Sequence, residues 1–202
     1  MTEPSQASSS SEHDARSKLR AAALAAREAL PDTVRAERTR AMEAHLTALM
    51  AELCPKVLAL CWPYRSEPDL RAWAVRWQAS VPGRCLALPV VTARDQPLIF
   101  RAWSADAEMA LDRHGIPHPA HGDAILPDVV LIPLNAFDGA GFRLGYGGGY
   151  FDRTLAVLQT ISVGVGFEAG RVDSVMPQSH DRPMDWLVTE AGLWSCSDGR
   201  RA

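Results

Sequence analysis

The sequence contains few cysteines, and none of them lies in a C-x-x-C pair. The four are Cys54, Cys61, Cys85 and Cys196. Cys61 and Cys85 fall in apolar runs that are typical of buried strands, so we expect reduced thiols in the core. The arrangement favours neither a disulfide framework nor a zinc site.

Long apolar runs and a strong excess of one charge are also missing. No apolar stretch approaches the ~20 residues of a membrane-spanning helix, so no membrane association is expected. Residues 1–11 are rich in serine and lack an apolar core, unlike a signal peptide or an Arg-rich transit peptide. The 21 basic and 24 acidic residues leave a net charge of −3, which gives no reason to expect nucleic acid as a partner. We expect a cytoplasmic protein that binds any anion through a local basic cluster.

Apolar runs alternate with helical patterns along the chain. Runs without polar alternation predict strands buried on both faces of a sheet, over 57–62, 85–91, 98–103, 129–133, 162–167 and 186–189. Helices are predicted over 14–30, from Pro31-Asp32 to Leu53, from Pro68-Asp69 to Gly83 and over 150–159. The order predicts an α/β fold with a single domain over 14–196, a disordered tail over 1–13 and a short tail over 197–202.

Three arginines of the first predicted helix form a basic row. At ~100° per residue, Arg16, Arg20 and Arg27 lie within about 40° of one another, beside an apolar stripe. Arginines at i and i+4 can reach the same ligand, so the row is a candidate anion site. A solvated helix face is an equally consistent interpretation.

The segment with the clearest chemical signal is residues 141–153, GFRLGYGGGYFDR. It lies between a predicted strand and a predicted helix, and its central glycines bury almost nothing while they cost backbone entropy when ordered. Neither G-x-x-x-x-G-K-[ST] nor G-x-G-x-x-G fits the segment. A strand, a glycine loop and a helix start nevertheless present free N–H groups to an anion.

Charged residues bracket these glycines. Arg143 is the residue type that clamps phosphate oxygens, and Asp152 supplies the carboxylate that a magnesium ion needs beside a phosphate. A mobile turn, with a carboxylate that stabilises the helix N-terminus, is the alternative interpretation. The pattern favours a phosphate-binding loop with a divalent ion.

The stretch RLGYGGGYFDR at 143–153 resembles the signature of the 5-formyltetrahydrofolate cyclo-ligase family. Weaker similarities follow the family's order, namely RSKLR at 16–20, WPYRSE at 62–67, GIPHP at 115–119, PLNAFD at 133–138, HDRP at 180–183 and LVTE at 187–190. The chain departs from the family at His118, where glutamate is common, and at Phe151, where tyrosine is frequent. Tyr146 and Gly148 occupy positions that are basic in some members, so the arginines must supply more of the loop's charge.

The resemblance implies a three-layer α/β/α fold with a mostly parallel central sheet. It implies a monomeric ligase of one-carbon metabolism that uses ATP and Mg²⁺ on 5-formyltetrahydrofolate, with or without a polyglutamate tail. Transfer of the γ-phosphoryl group to the formyl oxygen makes an imidate phosphate; N10 then attacks the formyl carbon, phosphate leaves, and 5,10-methenyltetrahydrofolate forms.

The resemblance also implies roles for individual residues. Arg143 and Asp152 are expected to be catalytic, and Asp152 and Asp181 to bind Mg²⁺. Residues expected to bind ATP are Arg16, Lys18, Arg20, Arg143, Leu144, Gly145, Tyr146, Gly147, Gly148, Gly149, Tyr150 and Phe151. Residues expected to bind the folate are Trp62, Glu67, Tyr146, Gly147, Gly148, Gly149 and Tyr150.

Several of these residues also have a purely structural interpretation. A flat pterin with N–H donors suits an aromatic face and a buried carboxylate, but Trp62 is equally consistent with core, and Glu67 with an exposed loop. Asp181 could simply stabilise a turn. A non-catalytic folate or nucleotide binder, or an enzyme acting on another N-formyl or cyclic amide substrate, remains an alternative that ADP release with the formyl folate would separate.

Overall fold

The computed structural model describes residues 5–196, with side chains from His13 onward. Its helices are α1 (Ser5–Glu28), α2 (Asp32–Leu53), α3 (Arg71–Ala79) and α4 (Tyr150–Val157). Its strands are β1 (Val57–Ala59), β2 (Cys85–Val90), β3 (Ile99–Trp103), β4 (Met109–Leu111), β5 (Pro117–Pro119), β6 (Val129–Pro133), β7 (Ala136–Phe137), β8 (Arg143–Leu144), β9 (Ile161–Val165), β10 (Trp186–Thr189) and β11 (Gly192–Ser195). None of these helices has the length and apolar character that crossing a bilayer requires.

Seven of the strands form one twisted sheet in the order β11-β10-β9-β6-β1-β2-β3. The inner neighbours pair in parallel, from β10 through β9, β6 and β1 to β2. The edge strands β3 and β11 run antiparallel to theirs. The predicted α/β class with a mostly parallel sheet is therefore confirmed.

The sheet is covered on both faces, which explains why its strands are apolar runs. Successive residues of a strand point to opposite faces. In β6, Val129 and Leu131 pack with residues of α2 and α3, whereas Val130 and Ile132 pack with α4. At about 1.5–3 kcal/mol for each fully buried aliphatic side chain, both clusters stabilise the three-layer arrangement.

The helices pack against the sheet through apolar faces with helical spacing. In α2, Met42, Leu46 and Leu49 are fully buried. In α3, Trp73 and Trp77 occupy the same core. Asp69 does not begin α3 but accepts the backbone N–H of Arg71, the first helical residue, at 3.2 Å, so the turn before the helix satisfies one of its free donors.

Several element boundaries differ from the sequence predictions. Helix α1 begins at Ser5 rather than at residue 14, because serine is only moderately unfavourable in a helix that the alanine-rich stretch already supports. Residues 1–4 and 197–202 of the predicted tails lie outside the described residues. Strand β1 ends at Ala59 instead of Trp62. The stretch between the strands predicted at 98–103 and 129–133 contains the β4–β5 hairpin, which the sequence did not predict, and the short strands β7, β8 and β11 were also missed.

The strand order reverses between β1 and β6. From β1 the chain moves to β2 and β3 on one side, whereas from β6 it moves to β9 and β10 on the other. In an open α/β sheet, ligands bind outside the carboxyl ends of the strands at such a switch point. The segments after Ala59 and after Pro133 are therefore the expected position of a site.

Candidate functional site

Glu67 is buried at this switch point, at the end of the segment that follows β1. Its residue exposure is 9%. The Oε2 atom accepts the backbone N–H of Tyr64 at 3.0 Å, and Oε1 accepts the hydroxyl of Tyr146 at 2.9 Å. The structure therefore brings the predicted folate carboxylate against the glycine loop and excludes the alternative that Glu67 is an exposed loop charge.

Two cavities meet at Glu67. A narrow one of about 10 Å³ lies among Cys61, Leu131, Pro133 and Val165 at the ends of the parallel strands. The other is an open cleft of about 350 Å³ on the side of α2, which is within the usual range for a small-molecule site. The residues that line this cleft are Arg35, Ala36, Thr39, Arg40, Glu43, Glu67 and Asp69.

Arg27 of α1 joins the segments that surround Glu67. Its guanidinium is almost fully buried, donates to the hydroxyl of Tyr146 at 2.6 Å and to Oδ1 of Asn135 at 2.7 Å, and lies 3.9 Å from Oε1 of Glu67. The buried Nδ2 atom of Asn135 has no acceptor among the described residues. An unpaired buried donor is costly, and a polar substrate atom would satisfy it.

Burial and charge act against each other in this cluster. Burial raises the pKa of Glu67, and the neighbouring Arg27 opposes that rise. Burial, followed by the adjacent carboxylate of Glu67, also raises the pKa of the Tyr146 hydroxyl, so this group is a neutral donor to Glu67. The cluster therefore holds one carboxylate, one guanidinium and one neutral hydroxyl.

The glycine loop runs from β8 to α4 and lies against Arg20. Arg20 donates its Nε hydrogen to the carbonyl of Gly145 at 2.7 Å. Gly147 has φ +91°, and a Cβ atom there would lie 3.9 Å from the Arg20 guanidinium. Gly149 has φ +64° and precedes α4 without a side-chain cap. The first N–H groups of α4 have no intrahelical acceptors, so the loop offers donors beside a cation.

Arg20 is a cation of this site that has no carboxylate partner among the described residues. It is only partly exposed and forms no ion pair in the described part of the chain. Burial, and then the nearby charge of Arg16, lower its pKa, whereas Asp181 acts in the opposite sense. A guanidinium that contacts the glycine loop without a carboxylate partner indicates a site for an anion.

Arg143 and Asp152 lie next to each other, one before the glycine loop and one after it. Arg143 is buried, donates to the carbonyl of Arg182 at 3.1 Å and lies 3.3 Å from Oδ1 of Asp152. The same oxygen accepts the backbone N–H of Arg182 at 3.2 Å. Because Arg182 follows Asp181 directly, the two predicted metal carboxylates belong to adjoining segments.

Asp181 is already paired in this structure. Arg16 donates to both carboxylate oxygens, at 2.7 and 3.2 Å, and also to the carbonyl of Met176 at 2.7 Å. The side chains are 11% and 6% exposed respectively. The predicted phosphate ligand and the predicted metal ligand thus satisfy each other, which links α1 to the segment before β10.

Other predicted site residues are distributed unevenly. Lys18 is exposed to solvent, and Leu144 is buried in a small core with Ala23 and Val175, so only its backbone can meet a ligand. Trp62 packs edge-on against Trp103 and carries the Arg71 guanidinium over its ring at 4.1 Å. One face of the Trp62 ring is therefore occupied.

The loop's remaining aromatic residues lie beside arginines. The Arg153 guanidinium lies over the Tyr150 ring, 5.3 Å from its centroid, and also donates to the carbonyl of Gly148. Arg143 lies 5.9 Å from the centroid of Phe151. Sequence reasoning placed Arg27 in the basic row but not in the site, and it missed Asn135 because a single amide carries no periodic signal.

A magnesium ion fits this site only with help from a ligand. No group of three or more His, Cys, Asp or Glu side chains that could hold a metal exists among the described residues. Magnesium, however, is usually bound by one or two carboxylates together with substrate phosphates and water. Asp152, 21% exposed at the first turn of α4, offers the carboxylate that such a shared site requires.

Substitution of Arg16 is expected to destabilise the fold in a pH-dependent way. Burial works to raise the pKa of Asp181, but Arg16 and the backbone N–H of Gln178 outweigh it, so this pKa lies below its usual value. The stabilisation is present above the unfolded pKa of about 3.9 and is lost as the pH falls through the lower folded pKa. Arg16→Gln should cost about 3 kcal/mol at pH 7 and markedly less at pH 3, measured by urea unfolding.

Arg38→Gln is the matched control for this experiment. Arg38 pairs with Glu190 at 3.0 Å, but a third of its side chain is exposed, so the loss should stay below about 1 kcal/mol. An Arg16→Gln cost that is equal at both pH values would contradict the role assigned to the Asp181 pair.

Comparison with known proteins gives consistent results. A sequence profile of the 5-formyltetrahydrofolate cyclo-ligase family matches residues 12–190. The 5-formyltetrahydrofolate cyclo-ligase of Escherichia coli (strain K12) is 33% identical over 127 residues, 58% of this chain and 68% of that protein. That of Mycolicibacterium smegmatis (strain ATCC 700084 / mc(2)155) is 29% identical over 191 residues, 86% of this chain and 93% of that one.

Two solved structures share the fold. The Aquifex aeolicus 5,10-methenyltetrahydrofolate synthetase superimposes with a TM-score of 0.79 and 28% identity, over 93% of this chain and 95% of that chain. The Mycoplasma pneumoniae 5,10-methenyltetrahydrofolate synthetase gives a TM-score of 0.69 with 22% identity, over 87% and 98% respectively.

Proposed function

This chain belongs to the 5-formyltetrahydrofolate cyclo-ligase family, and on that premise we propose that it converts 5-formyltetrahydrofolate into 5,10-methenyltetrahydrofolate while ATP becomes ADP and phosphate. The observation that carries the proposal is the glycine loop held between two cationic groups and a buried carboxylate. Arg20 contacts the loop at Gly145, Arg143 lies in β8 before it, and Glu67 accepts the Tyr146 hydroxyl.

The reaction must activate a poor leaving group. The formyl group on N5 is amide-like, so its oxygen does not leave unaided. Transfer of the γ-phosphoryl group breaks its bond to the bridging oxygen of ADP and forms a bond to the formyl oxygen. N10 then attacks the formyl carbon, loses its proton, and phosphate departs with the oxygen. The protein contributes mainly orientation and charge neutralisation.

The ATP phosphates are proposed to lie along the glycine loop. The loop N–H groups and the start of α4 donate to phosphate oxygens. Arg20 supplies positive charge from α1, and Arg143 supplies it from the opposite side. Because Arg143 is held by the Arg182 carbonyl and by Asp152, its guanidinium is fixed before the ligand arrives, which favours stabilisation of charge that develops during transfer.

Asp152 is proposed to hold Mg²⁺ together with the phosphates. The ion would neutralise phosphate charge during transfer. Asp181 is the second candidate, and it would have to exchange part of its bonding with Arg16 for the metal. Arg143, 3.3 Å from Oδ1 of Asp152, helps to fix the position of that carboxylate.

Glu67, Tyr146 and Trp62 are proposed to receive the folate. A pterin presents several N–H donors on one edge, and a buried carboxylate is the acceptor that recognises them. The open cleft beyond Glu67 provides about 350 Å³ for the ring system. Trp62, which carries the Arg71 guanidinium over one face of its ring, is the aromatic residue proposed to contact the pterin.

A coupled assay tests the proposed function. Purified protein with 5-formyltetrahydrofolate and MgATP is expected to form the methenyl product, detected by its near-ultraviolet absorbance, with one ADP for each product. Omission of Mg²⁺ should suppress both signals. Folded protein that binds both ligands and releases no ADP would instead be a binding protein, and ADP release only with other N-formyl or cyclic amide substrates would indicate a different reaction.

We also propose that the protein acts as a monomer in the cytoplasm. The four cysteines are free thiols in the structure, which suits a reducing compartment. A mass near 22.0 kDa in light scattering is the expected result, and twice that mass would contradict the monomer.

A further inference from the structure

We propose that Arg27 is a positioning residue for the folate side of the site, where its guanidinium holds the carboxylate of Glu67 and the hydroxyl of Tyr146 in the arrangement that receives the pterin. This inference rests on the proposed function, because Glu67 is the carboxylate proposed to accept the pterin N–H groups. Arg27 itself is not proposed to touch the reacting atoms.

The hydrogen bonds of Arg27 hold separate parts of the site together. The three nitrogens of Arg27 reach three separate segments of the chain. Nε donates to the carbonyl of Arg65 at 3.0 Å, after β1. Nη1 donates to Asn135 at 2.7 Å and to the carbonyl of Leu134 at 3.3 Å, after β6. Nη2 donates to the hydroxyl of Tyr146 at 2.6 Å, in the glycine loop. One planar group therefore fixes both sides of the switch point to the loop.

The direction of the Tyr146 hydroxyl hydrogen bond depends on Arg27. A hydroxyl has one hydrogen. Because Arg27 has no acceptor, the Tyr146 oxygen must accept from Nη2, which directs the hydroxyl hydrogen toward Oε1 of Glu67, 2.9 Å away. Without Arg27 the hydroxyl could rotate, since the carbonyl of Tyr64 lies 3.4 Å from the same oxygen. Arg27 thus selects one orientation.

Arg27 also acts on Glu67 through its charge. Glu67 faces Arg27 from α1, Tyr146 from the glycine loop and Cys61 from the end of β1. The charged groups that share the cleft with it are Arg35, Arg40, Glu43 and Asp69. Within the described residues, Arg27 is the cation at ion-pair distance from Glu67. Burial raises the pKa of Glu67, and Arg27 is the strongest of the groups that oppose this rise, so removal of Arg27 would raise that pKa further.

The experiment compares Arg27→Lys, Arg27→Met, Glu67→Gln and the double variant Arg27→Met/Glu67→Gln in the full chain. KM for the folate should rise about 10- to 100-fold in Arg27→Lys, the equivalent of losing charged hydrogen bonds, and at least as much in Arg27→Met. KM for ATP should change far less. The acid limb of kcat/KM for the folate should move to higher pH in Arg27→Met and stay near its original position in Arg27→Lys, which keeps the charge.

The double variant covers the case in which Arg27→Met does not fold, because it removes both buried charges. If Arg27 acts through Glu67, the double variant has about the same folate KM as Glu67→Gln alone. Arg38→Met, which removes a partly exposed arginine of α2 that pairs with Glu190, is the matched control and should keep the wild-type folate KM.

The titration of Glu67 separates this inference from the proposed function. The side-chain ¹³C chemical shifts of Glu67 should titrate at a higher pH in Arg27→Met than in the wild type. In Arg27→Lys they should titrate at the wild-type pH. Both results are expected whether or not the protein turns over. An absence of wild-type turnover would overturn the proposed function alone. An unchanged folate KM in Arg27→Lys, additive losses in the double variant, or equal rises of both KM values with an unmoved acid limb would overturn the role of Arg27.

Discussion

Asp152→Asn is expected to lower kcat by about 100- to 1,000-fold, the usual size of the effect when a group that stabilises transition-state charge is lost. The amide keeps the shape of the side chain and an oxygen that can still accept the N–H of Arg182. It removes the negative charge that is proposed to bind Mg²⁺ next to the ATP phosphates. The loss should appear mainly in kcat and in the Mg²⁺ concentration that half-saturates the enzyme.

Two measurements and a control variant check this prediction. Initial rates are recorded over a Mg²⁺ series, unfolding is followed by urea denaturation, and Asp123→Asn serves as the control. Asp123 is exposed and takes part in no ion pair within residues 5–196, so its variant should keep wild-type rates. A folded Asp152→Asn protein with wild-type kcat and unchanged Mg²⁺ dependence would remove Asp152 from the proposed metal site.

Glu67→Gln should reduce kcat/KM for the folate by about 100-fold and change the shape of its pH profile. A buried carboxylate recognises N–H donors that an amide matches only in part, and loss of such charged hydrogen bonds costs about 1.5–3 kcal/mol. In the wild type, kcat/KM is expected to rise with pH as Glu67 ionises through its raised pKa. The Gln variant has no such group, so this acid limb should disappear.

The raised pKa of Glu67 also predicts how the free energy of unfolding changes with pH. Because burial raises the pKa of Glu67 in the folded state, protonated Glu67 favours folding. That contribution is fully present below the unfolded pKa of about 4.3 and is lost as the pH rises through the folded pKa. The free energy of unfolding of the wild type should therefore decline relative to that of Glu67→Gln over this range. An acid limb that persists in Glu67→Gln would show that another group controls it.

Much of the fold could be predicted because the strands are buried on both faces. Strands β6 and β10 begin and end where their apolar runs do, and α2 follows its predicted bounds from Asp32 to Leu53. The resemblance that began with residues 143–153 is confirmed by the family match over 12–190. By contrast, β4, β5 and β7 are two or three residues long, too short for an alternation to be recognised.

Only part of the site could be predicted from the sequence, and the reason is physical. A glycine loop can be recognised in the sequence, because several glycines in a row are needed only where the backbone takes an unusual conformation. Long-range partners do not: nothing in the spacing indicates that Arg16 bonds Asp181 or that Arg27 reaches Asn135. These contacts depend on where α1 crosses the ends of the strands, which the helix periodicity leaves open. The individual roles of the site residues stay predictions.

The ion pair of Arg16 with Asp181 has a consequence for biosynthesis. The two residues are 165 positions apart, so a ribosome that has made α1 and most of the sheet has not yet supplied the partner of Arg16. The first helix can complete its contacts only once Asp181 has emerged, when about nine tenths of the chain has left the ribosome. Nascent protein is therefore expected to gain this link between α1 and the segment before β10 only near the end of synthesis.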